Sequence, residues 1–159
     1  MKMRLLYAVP MLLMMLFSCT KDAGDQELFL EENTNNAQLE GEVLALINAH
    51  RKSLGKNSLE FSAVAYTYAN EHTDYMIAQG TLSHDHFSAR AAKIAAESEA
   101  VKVGENVARK FNTAEAAFAS WQNSSAHKQT MEDDFTHTAV SVKEDGTGNY
   151  YYTQLFYKK

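Results

Sequence analysis

The chain closes with the stretch AVSVKEDGTGNYYYTQLFY (residues 139–157), which decides its fold class. Val140 and Val142 alternate with polar residues, DGTGN at 145–149 is typical of a tight turn, and an aromatic run follows. This pattern predicts two antiparallel strands joined as a hairpin. Because the segments before the hairpin have helical spacing, the chain is predicted to be an α+β layered domain.

Two amphipathic helices are predicted before the hairpin. The first starts near Ala37, carries apolar residues at helical spacing and ends at Gly55, which stands where a C-terminal cap is expected. The second carries one apolar stripe from about Ser62 to Ala78 and ends at Gly80. Each helix has one apolar face to pack against the predicted sheet.

The segment between the second helix and the hairpin is predicted to mix helix and strand. Its Ala-rich part, residues 89–98, predicts a short helix, and VKVGENVARKF (101–111) predicts a strand that bends at Gly104. A further helix is predicted from Asn112 as N-cap, with Glu115 three residues later in capping-box register.

The N-terminus has the features of a targeting segment. Lys2 and Arg4 precede an apolar run at 5–17, which at about 13 residues is too short to cross a bilayer as a helix and is typical of a signal peptide. Ser18 before Cys19 resembles the lipobox of bacterial lipoproteins, in which the cysteine carries a lipid anchor. The alternative is an ordinary secretory signal with an incidental cysteine.

These features divide the chain into three parts. Residues 1–18 are predicted to be a lipoprotein signal peptide, residues 19–36 a lipidated cysteine followed by a flexible acidic tether, and residues 37–159 a single domain. A chain of this kind is expected outside the cytoplasm, anchored through Cys19 to a bacterial membrane, with the outer membrane favoured. We expect a monomer.

Charge and cysteine content exclude some classes of protein. The chain has 15 Lys and Arg against 20 Asp and Glu, a net charge of −5, so it lacks the broad basic surface that nucleic-acid binding requires. Cys19 is the only cysteine, so no internal disulfide can form. Stability must therefore come from a packed core.

Three of the six histidines are predicted to be structural. His50 and His72 lie on the apolar stripes of the two helices, where a hydrogen-bonded core or boundary role is expected. His137 opens a predicted strand and is expected to be structural or to face solvent.

The remaining histidines and one glutamate are the candidate functional residues. His84 and His86 share the loop LSHDHFSAR (82–90), Glu105 lies in the GEN segment, and His127 follows the serines of SWQNSSAHK (120–128). Imidazole and carboxylate groups suit a divalent metal such as Zn²⁺ or a general acid/base pair. The long gaps between these residues make this evidence weak by itself.

A serine hydrolase is a competing interpretation of Ser124 or Ser125 beside His127. No glycine-flanked nucleophile elbow and no evident acidic partner accompany these serines in the sequence. Serines next to a helix end usually cap or turn the chain, so a structural role is expected.

The segments taken together, in order, resemble the CAP superfamily, also called SCP-like, which groups cysteine-rich secretory proteins, antigen 5 and plant pathogenesis-related proteins. The resemblance is closest to the compact bacterial branch, whose spacing Trp121, Ser124 and His127 match. The matching segments are LALINAHRKSLGKNSLEF (44–61), AYTYANEHTDYM (65–76), LSHDHFSAR (82–90), VGENVA (103–108), SWQNSSAHKQTM (120–131) and YYTQLF (151–156).

The resemblance implies a three-layer α-β-α sandwich whose central antiparallel sheet carries an open cleft. In eukaryotic members two histidines and two glutamates line this cleft and can hold a divalent metal. His84 matches the first histidine and Glu105 the first glutamate, but the other two positions fall on Ser124 and Tyr151. We expect His127, typical of the bacterial branch, to supply the second imidazole.

The resemblance therefore predicts a cleft lined by His84, Glu105 and His127, with Zn²⁺ or Ca²⁺ as a candidate cofactor. His86 is a conceivable fourth ligand by position, and Glu105 has a structural alternative, in which it ties down a turn and the His84 ring.

The first function hypothesis is a non-catalytic binding module for a small molecule, lipid or surface partner. A metal-dependent hydrolase or peptidase in the same cleft is the alternative. A third is an interaction protein that acts through the tyrosine run at 150–152, for which sheet packing is the competing interpretation.

Overall fold

The computed structural model describes residues 34–159. The predicted signal peptide, the predicted lipidation site Cys19 and most of the predicted tether therefore lie outside the described residues. No helix within 34–159 is both long enough and apolar enough to span a bilayer. The elements in chain order are α1 (Ala37–Ser53), β1 (Glu60–Phe61), α2 (Ala63–Gln79), α3 (Phe87–Ser98), β2 (Lys102–Arg109), α4 (Ala114–Gln122), α5 (Ser125–Glu132), β3 (His137–Glu144) and β4 (Tyr150–Lys158).

The described strands form one sheet in the order β1-β3-β4-β2. β3 pairs with β4 as the predicted hairpin, and β4 pairs with β2, both antiparallel. β1 is a two-residue strand parallel to β3, so the sheet is mixed rather than wholly antiparallel as expected. Both residues of β1 are exposed, so no alternation of polar and apolar residues marks them in the sequence.

Alternation along the strands assigns the helices to two faces, which confirms the three-layer sandwich. On one face, Ala139 and Leu155 pack against Ala65 and Ile94, which come from α2 and α3. On the other face, the core under α1, α4 and α5 is built from these buried residues: Val43, Ile47, Ala117, Trp121, Met131, Val140, Val142, Tyr152 and Phe156. Consecutive strand residues such as Leu155 and Phe156 belong to different clusters, because successive side chains of a pleated strand point to opposite faces.

Local signals set most helix ends. The Ser62 side chain accepts a hydrogen bond from the Ala65 N–H at the start of α2, and Gly80, with φ 65°, ends that helix in a left-handed conformation. At the start of α4 the expected Asn112 cap is wrong by one residue. Thr113 is the N-cap, and it accepts from the Ala116 N–H.

β2 runs without interruption through Gly104, so the predicted bend is absent. A Cβ at this position would lie 2.7 Å from the Phe135 ring and 3.1 Å from Thr130. Gly104 is therefore required by the close packing of α5 and the following loop over the strand, and not by a turn.

A buried arginine holds the corner where α1 ends. The Arg51 side chain, 2% exposed, donates to the carbonyl oxygens of Asn57, Met131, Asp133 and Phe135. Burial lowers its pKa, partly offset by nearby aspartates. Arg51 thus joins α1 to the loops before β1 and β3 without a buried carboxylate.

Candidate functional site

Glu105 is the centre of a polar cluster on the α2/α3 face of β2. Its side chain is 2% exposed, and both of its oxygens are engaged. Oε1 accepts from Nδ1 of His84 at 2.8 Å, and Oε2 accepts from Nε and Nη2 of Arg90 at 2.9 and 2.6 Å. A buried carboxylate needs such charge-assisted hydrogen bonds, because an unpaired charge is strongly disfavoured away from water.

The loop that carries His84 is fixed on both sides of the residue. The buried His72 of α2 hydrogen-bonds the Ser83 carbonyl through Nε2 at 2.8 Å. Arg90 of α3 donates to the Asp85 carbonyl at 2.9 Å. The backbone is therefore held immediately before and after His84, which restricts where its ring can lie.

The hydrogen bond to Glu105 also sets the tautomer of His84. A carboxylate only accepts, so Nδ1 carries the proton and Nε2 of the neutral ring is left with its lone pair. The His84 side chain is 51% exposed. The arrangement presents an oriented imidazole to solvent, with a buried carboxylate behind it, as is common for metal-binding and general-base histidines.

His127 reaches the same place from the opposite layer. It lies in α5, where its carbonyl accepts from Nδ2 of the fully buried Asn106 at 3.0 Å. Because β2 is the last strand of the sheet, α5 and the His84 loop approach each other around its free edge. The centroids of the His84 and His127 rings are 6.4 Å apart.

Burial lowers the pKa of His127, and the nearby His84 lowers it further. Burial also lowers the pKa of His72, although Glu105 and the bond to the Ser83 carbonyl act in the opposite direction. Neutral imidazoles are therefore favoured on both sides of the strand at neutral pH, and the neutral form is the one that binds metals.

The structure brings His84, Glu105 and His127 together, but with unequal roles. Glu105 is occupied by His84 and Arg90, so it acts as a support for the ring of His84. No group of three or more His, Cys, Asp or Glu in residues 34–159 has the arrangement of a metal site. Two imidazoles do not form a closed zinc centre, and Ca²⁺, which requires six to eight oxygen ligands, does not suit them. The imidazoles of His84 and His127 are the groups of this cluster whose chemistry suits Zn²⁺.

The other candidates have structural positions. The ring of His86 meets the ring of Tyr75 edge-on, with centroids 5.5 Å apart. Ser124 Oγ accepts the His127 N–H as the N-cap of α5, which is the expected capping role. Tyr151 and Tyr152 are fully buried, so these two residues of the tyrosine run pack in the sheet.

The three remaining histidines have the structural roles expected of them. His50 bonds Glu132 at 2.8 Å and Gln122 at 3.2 Å, at the boundary of three helices. His137 opens β3 and stacks on Tyr157, with centroids 4.7 Å apart. The buried His72 is hydrogen-bonded, as expected, but it also lies 3.9 Å from Glu105, which the sequence did not indicate.

The sequence does not indicate the roles of two residues that hold the cluster together. Arg90 lies in the same segment as His84, but its pairing with Glu105 depends on the packing of α3 against β2. Asn106 follows Glu105 in the GEN segment and points to the other face of β2, where it holds His127. An arginine and an asparagine adjacent to candidate residues were the available signals, but both residue types are common on protein surfaces.

Comparison with known proteins places the chain among CAP proteins. The family model described as "CAP: Cysteine-rich secretory protein family" matches residues 44–156. No curated protein sequence matches the chain. Among solved structures, an outer surface protein of Borrelia burgdorferi is similar, with a TM-score of 0.71 and 17% identity over 80% of this chain and 98% of that one.

Two further bacterial structures are similar. One is an extracellular protein containing an SCP domain from Bacillus anthracis, with a TM-score of 0.67 and 23% identity over 77% of this chain and 41% of that one. The other is a cysteine-rich secretory protein from Staphylococcus aureus, with a TM-score of 0.63 and 19% identity over 82% of this chain and 41% of that one. At these identities the likeness shows a shared fold.

Proposed function

The chain belongs to the CAP family of cysteine-rich secretory proteins, and from that premise we propose that it is an extracytoplasmic binding domain. Its ligand contacts the edge of β2 at which His84 and His127 meet, and the protein acts by binding rather than by catalysis. The observation that carries the proposal is the buried Glu105 carboxylate, 2.8 Å from Nδ1 of His84, which orients an otherwise half-exposed ring.

The cost of this arrangement supports a functional role. A buried ion pair such as Glu105 with Arg90 is often no more stabilising than apolar residues of the same volume, because both charges lose their hydration. The fold alone does not require such a pair. The pair of Glu105 and Arg90 holds the His84 imidazole in one tautomer and one orientation, which is what a binding site needs.

The chemistry of the exposed groups favours binding. Ser124 is engaged as a helix cap and Glu105 by Arg90, so the two imidazoles are the groups left to contact a ligand. They suit a polar group of a small molecule, lipid or surface partner, and they suit Zn²⁺ as a probe. Two imidazoles bound to one tetrahedral zinc at ~2.0 Å have centroids about 5 Å apart. The observed 6.4 Å requires only a small approach of the rings.

A zinc titration of the full-length protein tests the proposal. We expect saturable binding by calorimetry, and His84→Ala or His127→Ala should each weaken it by about tenfold or more, since each removes one of two protein ligands. His86→Asn is the matched control. It removes a neighbouring imidazole and keeps a residue suited to the left-handed backbone at φ 60°, so binding should be unchanged. Zinc binding that survives the double variant His84→Ala/His127→Ala would place the site elsewhere.

The Glu105–His84 pair also favours a second candidate, a metal-dependent hydrolase or peptidase. A carboxylate-oriented imidazole can act as a general base, and a divalent ion bound at the site would supply an activated water. The full-length protein should be assayed on peptides with and without a chelator, beside His84→Ala. Turnover that is absent, or that is insensitive to both the chelator and the variant, ends this interpretation.

We propose that the domain is anchored to a membrane through a lipid on Cys19, as a monomer outside the cytoplasm. The lipobox-like end of the apolar run supports the anchor, and the descriptions of two similar structures as outer surface and extracellular proteins support the location. A Cys19→Ser variant should move from the membrane fraction to the soluble fraction and lose incorporation of labelled fatty acid. An unchanged membrane fraction and unchanged labelling contradict the anchor.

A further inference from the structure

A cavity lies between α2 and α3, next to the Glu105–Arg90 pair. It has a volume of about 180 Å³ and is lined by Glu71, His72 and Tyr75 of α2, by Arg90 and Lys93 of α3, and by His86. His84 and His127, the ligand residues proposed above, are not among the residues that line it. This α2–α3 cavity is therefore distinct from the imidazole pair at the edge of β2.

His72 brings a hydrogen-bond acceptor to the wall of this cavity. The residue is 2% exposed, and its Nε2 must carry the proton, because it is bonded to the Ser83 carbonyl, which only accepts. Burial favours the neutral ring, so Nδ1 holds a lone pair. Among residues 34–159 no donor lies within hydrogen-bonding distance of this nitrogen. This nitrogen is therefore free to accept a hydrogen bond from a donor group of a ligand in the cavity.

Arg90 brings unsatisfied donors to the same wall. Its guanidinium has five N–H groups, and within the described residues three of them are used, two on Glu105 and one on the Asp85 carbonyl. The side chain is 7% exposed, so the two remaining N–H groups have little access to bulk water. The wall of the cavity therefore presents an acceptor and donors together.

The mouth of the cavity carries both a negatively and a positively charged side chain. Glu71 and Lys93 are exposed residues of opposite sign, one on each helix. Tyr75 adds an apolar surface, because its ring stacks on His72 with centroids 5.9 Å apart. A simple anion would be repelled by Glu71 and by the His72 lone pair. A simple cation would be repelled by Lys93 and Arg90.

We propose that the α2–α3 cavity binds a small zwitterion of the α-amino acid type. The ammonium group donates to Nδ1 of His72 and pairs with Glu71, while the carboxylate accepts from Arg90 and pairs with Lys93. The volume of 180 Å³ is suited to a free amino acid with a small side chain, which packs on the Tyr75 ring. This site is independent of the His84–His127 site.

The test is an NMR titration of the full-length protein with glycine and alanine. We expect saturable amide shifts centred on α2 and α3, with a Kd on the order of millimolar, as is usual for so small a ligand. Acetate and methylamine each carry half of the zwitterion and should bind at least about tenfold more weakly, because each leaves one charge of the mouth unpaired.

Two exposed substitutions keep the test independent of folding. Glu71→Gln and Lys93→Gln should each weaken glycine binding by about tenfold, while Lys56→Gln, an exposed lysine that lines another cavity, should leave it unchanged. The proposal is overturned if glycine produces no saturable shifts, if acetate binds as tightly as glycine, or if neither variant weakens binding. Zinc binding at His84 and His127 should be unaffected by either variant, so the two proposals fail separately.

Discussion

Two buried arginines, Arg51 and Arg90, serve the molecule in different ways. Arg51, 2% exposed, donates only to backbone carbonyls and holds together the corner formed by α1, α5 and the loops beside them. Arg90, 7% exposed, donates mainly to the carboxylate of Glu105, which in turn orients His84. The partner, and not the burial, separates a structural arginine from one that supports the proposed binding site.

The largest effect is expected at the structural arginine. Arg51→Met leaves four carbonyl oxygens without their donor, at a cost of ~1–3 kcal/mol for each one that stays buried. We expect the free energy of unfolding to fall by about 5 kcal/mol. Urea unfolding followed by circular dichroism measures this loss. A loss below about 1 kcal/mol would show that water replaces the guanidinium and that the contrast is wrong.

Arg90→Met should be nearly as destabilising, but because it removes a charge partner rather than a donor to carbonyl oxygens. It leaves the buried Glu105 carboxylate without its cationic partner and with only the hydrogen bond to His84, which costs about 3–5 kcal/mol. Urea unfolding of the variant measures this loss. A loss below about 1 kcal/mol would show that the buried carboxylate does not need the guanidinium.

A double variant sharpens the same contrast. Arg90→Met/Glu105→Gln removes both buried charges, so it should recover part of the stability lost by Arg90→Met alone. The zinc affinity of the double variant should nevertheless stay low, because a glutamine holds the His84 ring less firmly than a carboxylate. Recovery of stability together with full zinc affinity would contradict an orienting role for Glu105.

A smaller effect is expected from acid, and it should arise from the histidines on the two faces of β2. Burial lowers the pKa of His127 below its ordinary value, and such a group contributes stability above pH ~6.5 that is lost as the pH falls through its folded pKa. His72 acts in the same direction. We expect His127→Gln to reduce the loss of unfolding free energy between pH 7.5 and pH 5 by about 1 kcal/mol or less. An equal acid loss in the variant would remove His127 as a contributor.

The smallest effect is expected at Tyr151, on which a third arginine, Arg109, packs. Arg109 stacks on Tyr151, 4.7 Å from the ring centroid, while the buried Tyr151 hydroxyl has no hydrogen-bond partner among the described residues. Tyr151→Phe removes an unpaired polar group and keeps the stacking. We therefore expect unchanged stability, or a gain of up to ~1 kcal/mol, in thermal and urea unfolding. A loss greater than this would reveal a partner for the hydroxyl.

The sequence predicted the parts of the fold that have local signals. The stripes of α1 and α2, the cap at Ser62, the stop at Gly80 and the closing hairpin all follow from periodicity or from cap residues. β1 was missed because two exposed residues carry no pattern. The bend at Gly104 was wrong because the glycine makes room for Phe135, a contact 31 residues away that no local pattern reveals.

The sequence predicted which residues form the candidate site better than it predicted the role of each residue. His84, Glu105 and His127 came from a family resemblance, and the structure brings them together. Glu105 is a support rather than a ligand residue because Arg90 and His72 lie beside it, and they approach Glu105 only through the packing of α2 and α3. Such distant pairings are tertiary, so the sequence could not indicate that the carboxylate is occupied and that the His84 ring faces solvent.

Gly104 links the fold to the proposed binding site at His84 and His127 in a way that a genetic screen would detect. Any side chain at this position collides with Phe135 and Thr130, and Thr130 belongs to α5, the helix that carries His127. Alleles that alter residue 104 should therefore appear as loss-of-binding mutations although the residue carries no polar side chain and contacts no ligand. A map of sensitive positions would then mark a glycine as if it were a site residue, when its contribution is the space that it leaves empty.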